Sequence, residues 1–313
     1  MSGKQTLIAP DDAGLARAAE ILRGGGLVAM PTETVYGLAA RADSAEAVAR
    51  IYRTKGRPDF NPLIVHVAWL EQARELAMFD DAAEKLAARF WPGPLTLVLP
   101  LRSGAAITPA VTAGLGTIAL RQPGHPLAAR LLAETGLPLA APSANRSNAV
   151  SPTQPRHVLE SFGDTAPPVI DGGACEAGLE SAIVALDPEG GWRLLRPGPV
   201  TAEDIAVLLG PEAKSRGATI EAPGQLAKHY SPGKPVLLEQ SAPDEAAFVI
   251  GFGDVPGDVN LSPSGDLAEA AAHLYAALHA GAASDKPVIA VAPIPTQGMG
   301  RAINDRLQRA AAR

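Results

Sequence analysis

The chain has 313 residues, 47% of them hydrophobic, enough apolar material for ordinary cores in about two domains. Its formal net charge of −6 includes no basic half, with 18 Lys and Arg against 22 Asp and Glu over residues 1–210 and 9 against 11 over the rest, so stable nucleic-acid binding is not expected. The single Cys175 excludes an internal disulfide and a cysteine-rich zinc site, and the lack of a signal peptide or of an apolar run near 18 residues points to a cytoplasmic protein without membrane contact.

The densest pattern is PTETVYGLAARADSAEAVARIYRTKGRPDFNPLIVHV at 31–67, where hydroxyls, cations and an imidazole lie between two strand-like runs. The LVAM run at 27–30 follows a triple glycine and reads as a buried strand leaving a tight turn. Ala47, Val48 and Ile51 recur at helical spacing behind Ser44, an N-cap residue type, predicting a short helix over 44–52 with Lys55 and Arg57 beyond its end. LIVHV at 63–67 predicts a second strand containing His66. Cations after a helix can simply complement its negative end. Here Gly56, Pro58 and Asn61 favour a polyanion site, because glycine admits a close ligand, proline stiffens the turn and the amide donates or accepts.

FWPGPLTLVLP at 90–100 combines an aromatic pair, a turn and a strand, and reads as core rather than as a base-stacking surface. TIALRQP at 117–123 is an apolar strand in which an unpaired Arg121 would be expensive, so a ligand role is preferred to a surface one. PLAAPSANRSNAVSPT at 138–153 runs from an apolar segment into Ser143, Asn145 and Ser151. Such residues favour loops, but short donors beside Lys and Arg also suit phosphate oxygens. DGG at 171–173 and GLESAIVAL at 178–186 read as a turn and a buried strand with Ser181 at its mouth.

After Gly210 the composition changes, and 211–235, rich in proline, glycine and charge, reads as a linker containing His229, Tyr230 and Pro232. From Val236 strands and helices alternate: PVLLEQ, AAFVIGFG, an amphipathic helix near 266–280, VIAVAPI and a last helix over about 300–311, which make a small α/β domain. GFGDVPG at 251–257 imitates a dinucleotide fingerprint, with its third glycine one place late and no helix expected there. No Walker loop is present.

PTETVYGL, KGRP at 55–58, PSAN at 142–145 and RPG at 196–198 resemble the YrdC-like threonylcarbamoyl-AMP synthase family over about residues 7–210, and the remainder resembles the extra domain of its two-domain members. The resemblance implies a YrdC-like twisted mixed-sheet α/β domain over 1–210, a linker crossing the active site over 211–235, and a smaller Rossmann-like α/β domain over 236–313. It implies a cytoplasmic nucleotidyltransferase that converts L-threonine, bicarbonate and ATP into threonylcarbamoyl-AMP and pyrophosphate. A downstream tRNA threonylcarbamoyltransferase would use that product.

Carried over by motif, Lys55 and Arg57 are the catalytic candidates, stabilising phosphoryl charge. Lys55, Arg57, Asn61, Thr117, Ser143, Asn145, Ser151, Arg196 and Tyr230 would bind ATP, with Mg²⁺ carried by the nucleotide. Thr34, His66, Arg121, Ala141 and Ser181 would hold L-threonine, Arg121 gripping its carboxylate and His66 orienting the ligand rather than moving a proton. No strong general base is evident. Tyr230 would lie against the nucleotide and make the linker a lid, or else merely anchor it. Two other activities remain open on this fold: double-stranded RNA binding, and the carbamoyltransferase chemistry of hydrogenase maturation, whose proteins carry zinc modules absent from this sequence.

Overall fold

The computed structural model describes residues 7–187, 190–213, 229–242, 244 and 246–312, so the expected linker lies for 214–228 outside the described residues. Ten strands form one twisted mixed sheet: β1 (Leu7–Ile8), β2 (Val28–Met30), β3 (Gly37–Arg41), β4 (Ile64–His66), β5 (Leu95–Pro100), β6 (Thr117–Arg121), β7 (Leu139–Ala140), β8 (Val169–Ile170), β9 (Ala182–Leu186) and β10 (Trp192–Arg196). Their order is β1-β8-β2-β3-β7-β4-β6-β5-β9-β10. Parallel pairs such as β4 with β6 stand beside antiparallel ones such as β5 with β6. Strands with both faces covered read as continuous apolar runs, which is why LTLVLP and AIVAL are almost wholly buried.

The helix behind the first motif runs Ala45–Lys55, three residues past its expected end. Ser44 starts it by accepting from the Ala47 amide, and its apolar stripe buries Ala47, Val48 and Ile51. Lys55 is therefore the last helical residue rather than one that follows the helix. Gly56 ends the helix in the left-handed region at φ 61° with open space where a Cβ would stand. Its glycine thus serves to end the helix.

A second, all-parallel sheet follows, with β11 (Val236–Leu237), β12 (Phe248–Gly251), β13 (Val259–Asn260) and β14 (Ile289–Val291) in the order β11-β14-β12-β13. The helices Leu267–Ala283 and Met299–Ala311 pack with it. GFGDVPG ends β12 and leads through a turn to β13 with no helix at that point. The apolar core of this sheet also takes in Val35, Val150, Leu179 and Tyr230, all from segments that surround the first sheet's cavity. Gly178 lets the two bodies meet closely: at φ 66° it sits so near the helix Leu267–Ala283 that a Cβ would lie 2.4 Å from the Ala272 Cα.

Candidate active site

The mixed sheet gathers distant sequence at one buried cavity. Parallel pairing of β4 with β6 sets His66 beside Arg121, and antiparallel pairing of β4 with β7 sets His66 beside Leu139, two residues before Ala141. Gly37, at the start of β3, bridges to Ser143. A cavity of about 50 Å³ results, with Thr34, His66, Arg121, Ala141 and Ser181 in its wall alongside Arg57, Ser143, Arg196 and Tyr230. All five expected threonine contacts therefore share one enclosure.

Arg121 is held from three sides. Its Nε donates to Gly93 O at 3.2 Å, its Nη1 to Thr34 Oγ1 at 2.8 Å, and its Nη2 lies 2.7 Å from Glu33 Oε1. Burial raises the Glu33 carboxyl, but the charge and hydrogen bond of Arg121 outweigh it and leave the group below its ordinary pKa. A guanidinium has five N–H groups, so one on each terminal nitrogen remains for a ligand. His66 is pushed down to about 3, first by burial and then by the Arg121 charge, and it is a neutral imidazole at physiological pH. Ser181 Oγ lies 2.7 Å from Thr96 Oγ1 and accepts from Arg196 Nη2 at 3.2 Å.

Arg57 and Arg196 make up the cationic side. Arg57 reaches the Asn61 and Pro62 carbonyls at 3.3 and 3.0 Å, and Arg196 Nε donates to Ser181 O at 3.1 Å. Neither forms an ion pair among the described residues. Burial draws both pKa values down, Arg57 to about 10.

Several other expected nucleotide residues stand outside the cavity wall. Lys55 Nζ donates to Ser143 O at 2.6 Å, to Asn145 O at 2.5 Å and more weakly to Asn145 Oδ1 at 3.5 Å, while burial pushes its pKa well down. Its three donors fix the PSAN loop rather than pointing to a ligand. The Asn145 amide in turn donates to Arg146 O and Ala149 O at 3.0 and 2.8 Å. Ser151 Oγ donates to Glu180 Oε1 at 2.5 Å. Thr117 opens β6 opposite Pro100 of β5 and does not line the cavity. Tyr230 is buried in the cavity wall at φ 63°, a left-handed conformation that costs a bulky residue roughly 1–3 kcal/mol. Ser231 donates to Asn148 O at 2.8 Å, so the chain leaving Tyr230 is tied to the same loop.

Three residues escaped the sequence reading: Glu33, Glu180 and Arg306. Each had a signal. Glu33 is the acid between the threonines of PTET, and Glu180 is an acid beside a buried strand. Arg306 falls on the helical stripe of Ile303, Leu307 and Ala310, where a charge at an apolar position calls for a partner.

Residues 20–198 match the family model described as "Telomere recombination", and residues 200–312 match "Threonylcarbamoyl-AMP synthase, C-terminal domain". Among similar proteins, the threonylcarbamoyl-AMP synthase of Bacillus subtilis is 37% identical across 97% of this chain and 94% of its own. That of Pyrococcus abyssi is 39% identical across 94% and 92%. The crystal structure of P. abyssi Sua5 complexed with L-threonine superposes with a TM-score of 0.89 at 36% identity, covering 97% of each chain. Full-length HypF, at 21% identity and a TM-score of 0.52 over 58% of this chain and 28% of its own, shares the fold alone.

Proposed function

This chain belongs to the two-domain threonylcarbamoyl-AMP synthase family, and we propose that its cavity joins L-threonine, bicarbonate and ATP into threonylcarbamoyl-AMP and pyrophosphate. It is an enzyme of the nucleotidyltransferase type, making an AMP-linked intermediate. The observation that carries the substrate reading is the pair Arg57 and Arg196, which line one cavity and form no ion pair in direct contact among the described residues. Charge taken out of water is costly unless paired, so the ligand is the natural source of the counter-charge.

The threonine carboxylate takes the two free N–H groups of Arg121, while Thr34, neutral His66, Ala141 and Ser181 enclose the rest of the amino acid. The carbamate formed from its amine and bicarbonate then attacks the α-phosphorus. Negative charge grows on the phosphoryl oxygens and on departing pyrophosphate, where Arg57 and Arg196 already stand fixed and need no rearrangement. Lys55 contributes by holding the Ser143 and Asn145 carbonyls, and so the loop that forms one wall. No general base is required of the protein when threonine arrives as the free amine. Mg²⁺ would enter on the phosphates and offset their charge, since no cluster of three metal-ligating side chains occurs among the described residues and Glu33 and Glu180 already hold arginines.

Cavities that enclose drug-sized ligands run to about 300–1,000 Å³. The present 50 Å³ leaves no room for a nucleotide, so His229 and Tyr230 must withdraw for ATP and can close again over the product, excluding water. The product passes to a transferase that modifies tRNA. Pyrophosphate release from ATP with Mg²⁺ and bicarbonate, measured with L-threonine, with serine and without amino acid, tests the reading. Threonine-dependent release is expected; equal release in all three, or none, would end it.

A further inference from the structure

Arg306, on the last helix of the second domain, uses all three guanidinium nitrogens in hydrogen bonds. It is fully buried. Its Nε donates to Glu180 Oε2 at 3.0 Å and its Nη2 to Pro197 O at 2.9 Å. Its Nη1 donates to Asp305 Oδ2 at 2.8 Å, and its guanidinium lies 5.5 Å from the Tyr230 ring centroid. Glu180 receives two further donors, Tyr275 OH on Oε2 at 2.8 Å and Ser151 Oγ on Oε1 at 2.5 Å. Its carboxyl lies at about 2, because the Arg306 and Arg196 charges and these hydrogen bonds outweigh the opposing effect of burial.

The chain positions give this network its meaning. Glu180 precedes Ser181, Pro197 follows Arg196, and Ser151 and Tyr230 are positions at which the resemblance implies nucleotide contact. We propose that Arg306 and Glu180 are positioning residues through which the second domain sets the nucleotide side of the active site. One guanidinium fixes the carbonyl after Arg196, the ring of Tyr230 and the acid that orients Ser151. Ser151 commits its proton to an ionised acceptor and offers the nucleotide a lone pair, so its partner there is a hydroxyl or amine rather than a phosphate oxygen. The threonine side is anchored separately, by Glu33, Thr34 and Gly93 around Arg121.

This rests on the activity proposed above, and wild-type protein is the control: no threonine-dependent pyrophosphate release from it would defeat the activity itself, not the positioning role. Removing Arg306 alone strands a buried carboxylate, so the informative variant is Glu180→Gln with Arg306→Met, which removes both charges and preserves volume. The expected result is a KM for ATP raised about tenfold or more with the KM for threonine changed less than about twofold, as follows from losing hydrogen bonds to charged groups on one side of the site only. A lower melting temperature with both KM values at wild type would show a pair that only docks the domains, and would overturn the proposal. Should the double variant not fold, Tyr275→Phe decides: it removes one donor to Glu180, and a raised ATP KM beside an unchanged threonine KM supports the role, whereas two unchanged values overturn it.

Discussion

At the residue scale the site divides its cations by what holds them. Arg121 is braced by an acid and a hydroxyl, while the hydrogen bonds of Arg57 and Arg196 go only to carbonyls and a hydroxyl. Arg57→Ala should therefore lower kcat by on the order of a hundredfold, with Lys55→Ala of similar size through the loop it pins. Arg121→Ala should act mainly on the KM for threonine. Steady-state kinetics separates them, and near-normal values for these variants would remove the assignment. Tyr230→Ala leaves the left-handed backbone as it is and opens the cavity wall. The expected outcome is a normally folded enzyme that loses its intermediate to solvent faster; product retention equal to wild type in a rapid-quench time course would leave Tyr230 as an anchor and nothing more.

At the scale of elements, the PSAN loop is where helix and sheet are locked together. Ser147 N donates to Lys55 O at 2.8 Å, closing the end of the helix Ala45–Lys55, while the Lys55 side chain reaches back to the loop carbonyls. The spacing of KGRP and PSAN does not reveal this reciprocal cap, because its partners stand 88 or more positions apart along the chain. The second domain meets the first at Gly178, whose missing Cβ is required by the Ala272 backbone. Gly178→Ala is expected to cost about 1–3 kcal/mol through overpacking and a disfavoured φ. A thermal unfolding curve unchanged from wild type would contradict the close contact.

At the scale of the whole molecule, burial sets an acid limit on stability. His66, His157 and His229 are each pushed down to about 3 mainly by burial, and Glu180 lies at about 2. The unfolded chain binds protons on those histidines below about pH 6.5 while the folded one does not, so folding weakens as pH falls from about 6.5 toward 3. Glu180 adds to the loss from about 4.5 toward 2, where its unfolded form protonates first. Denaturant midpoints measured from pH 8 to pH 4 should fall steadily below about 6.5, and a flat profile would mean that these histidines are not buried.

The sequence by itself determined the α/β class, several strands of the first sheet, the helix behind Ser44 and the strand and helix alternation after Val236. Those features are written in local apolar runs, turn residues and short motifs that do not depend on distant partners. Only the tertiary structure decided that Lys55 braces a loop, that Ser151 and the Asn145 amide donate to the protein itself, that Glu33 pairs with Arg121 and that Glu180 pairs with Arg306. The physical reason is that a polar side chain's role is fixed by which partner satisfies it once water is excluded. Apart from those of the Asn145 amide, one and four residues on, these partners lie tens to more than a hundred residues away, as Arg306 does from Glu180.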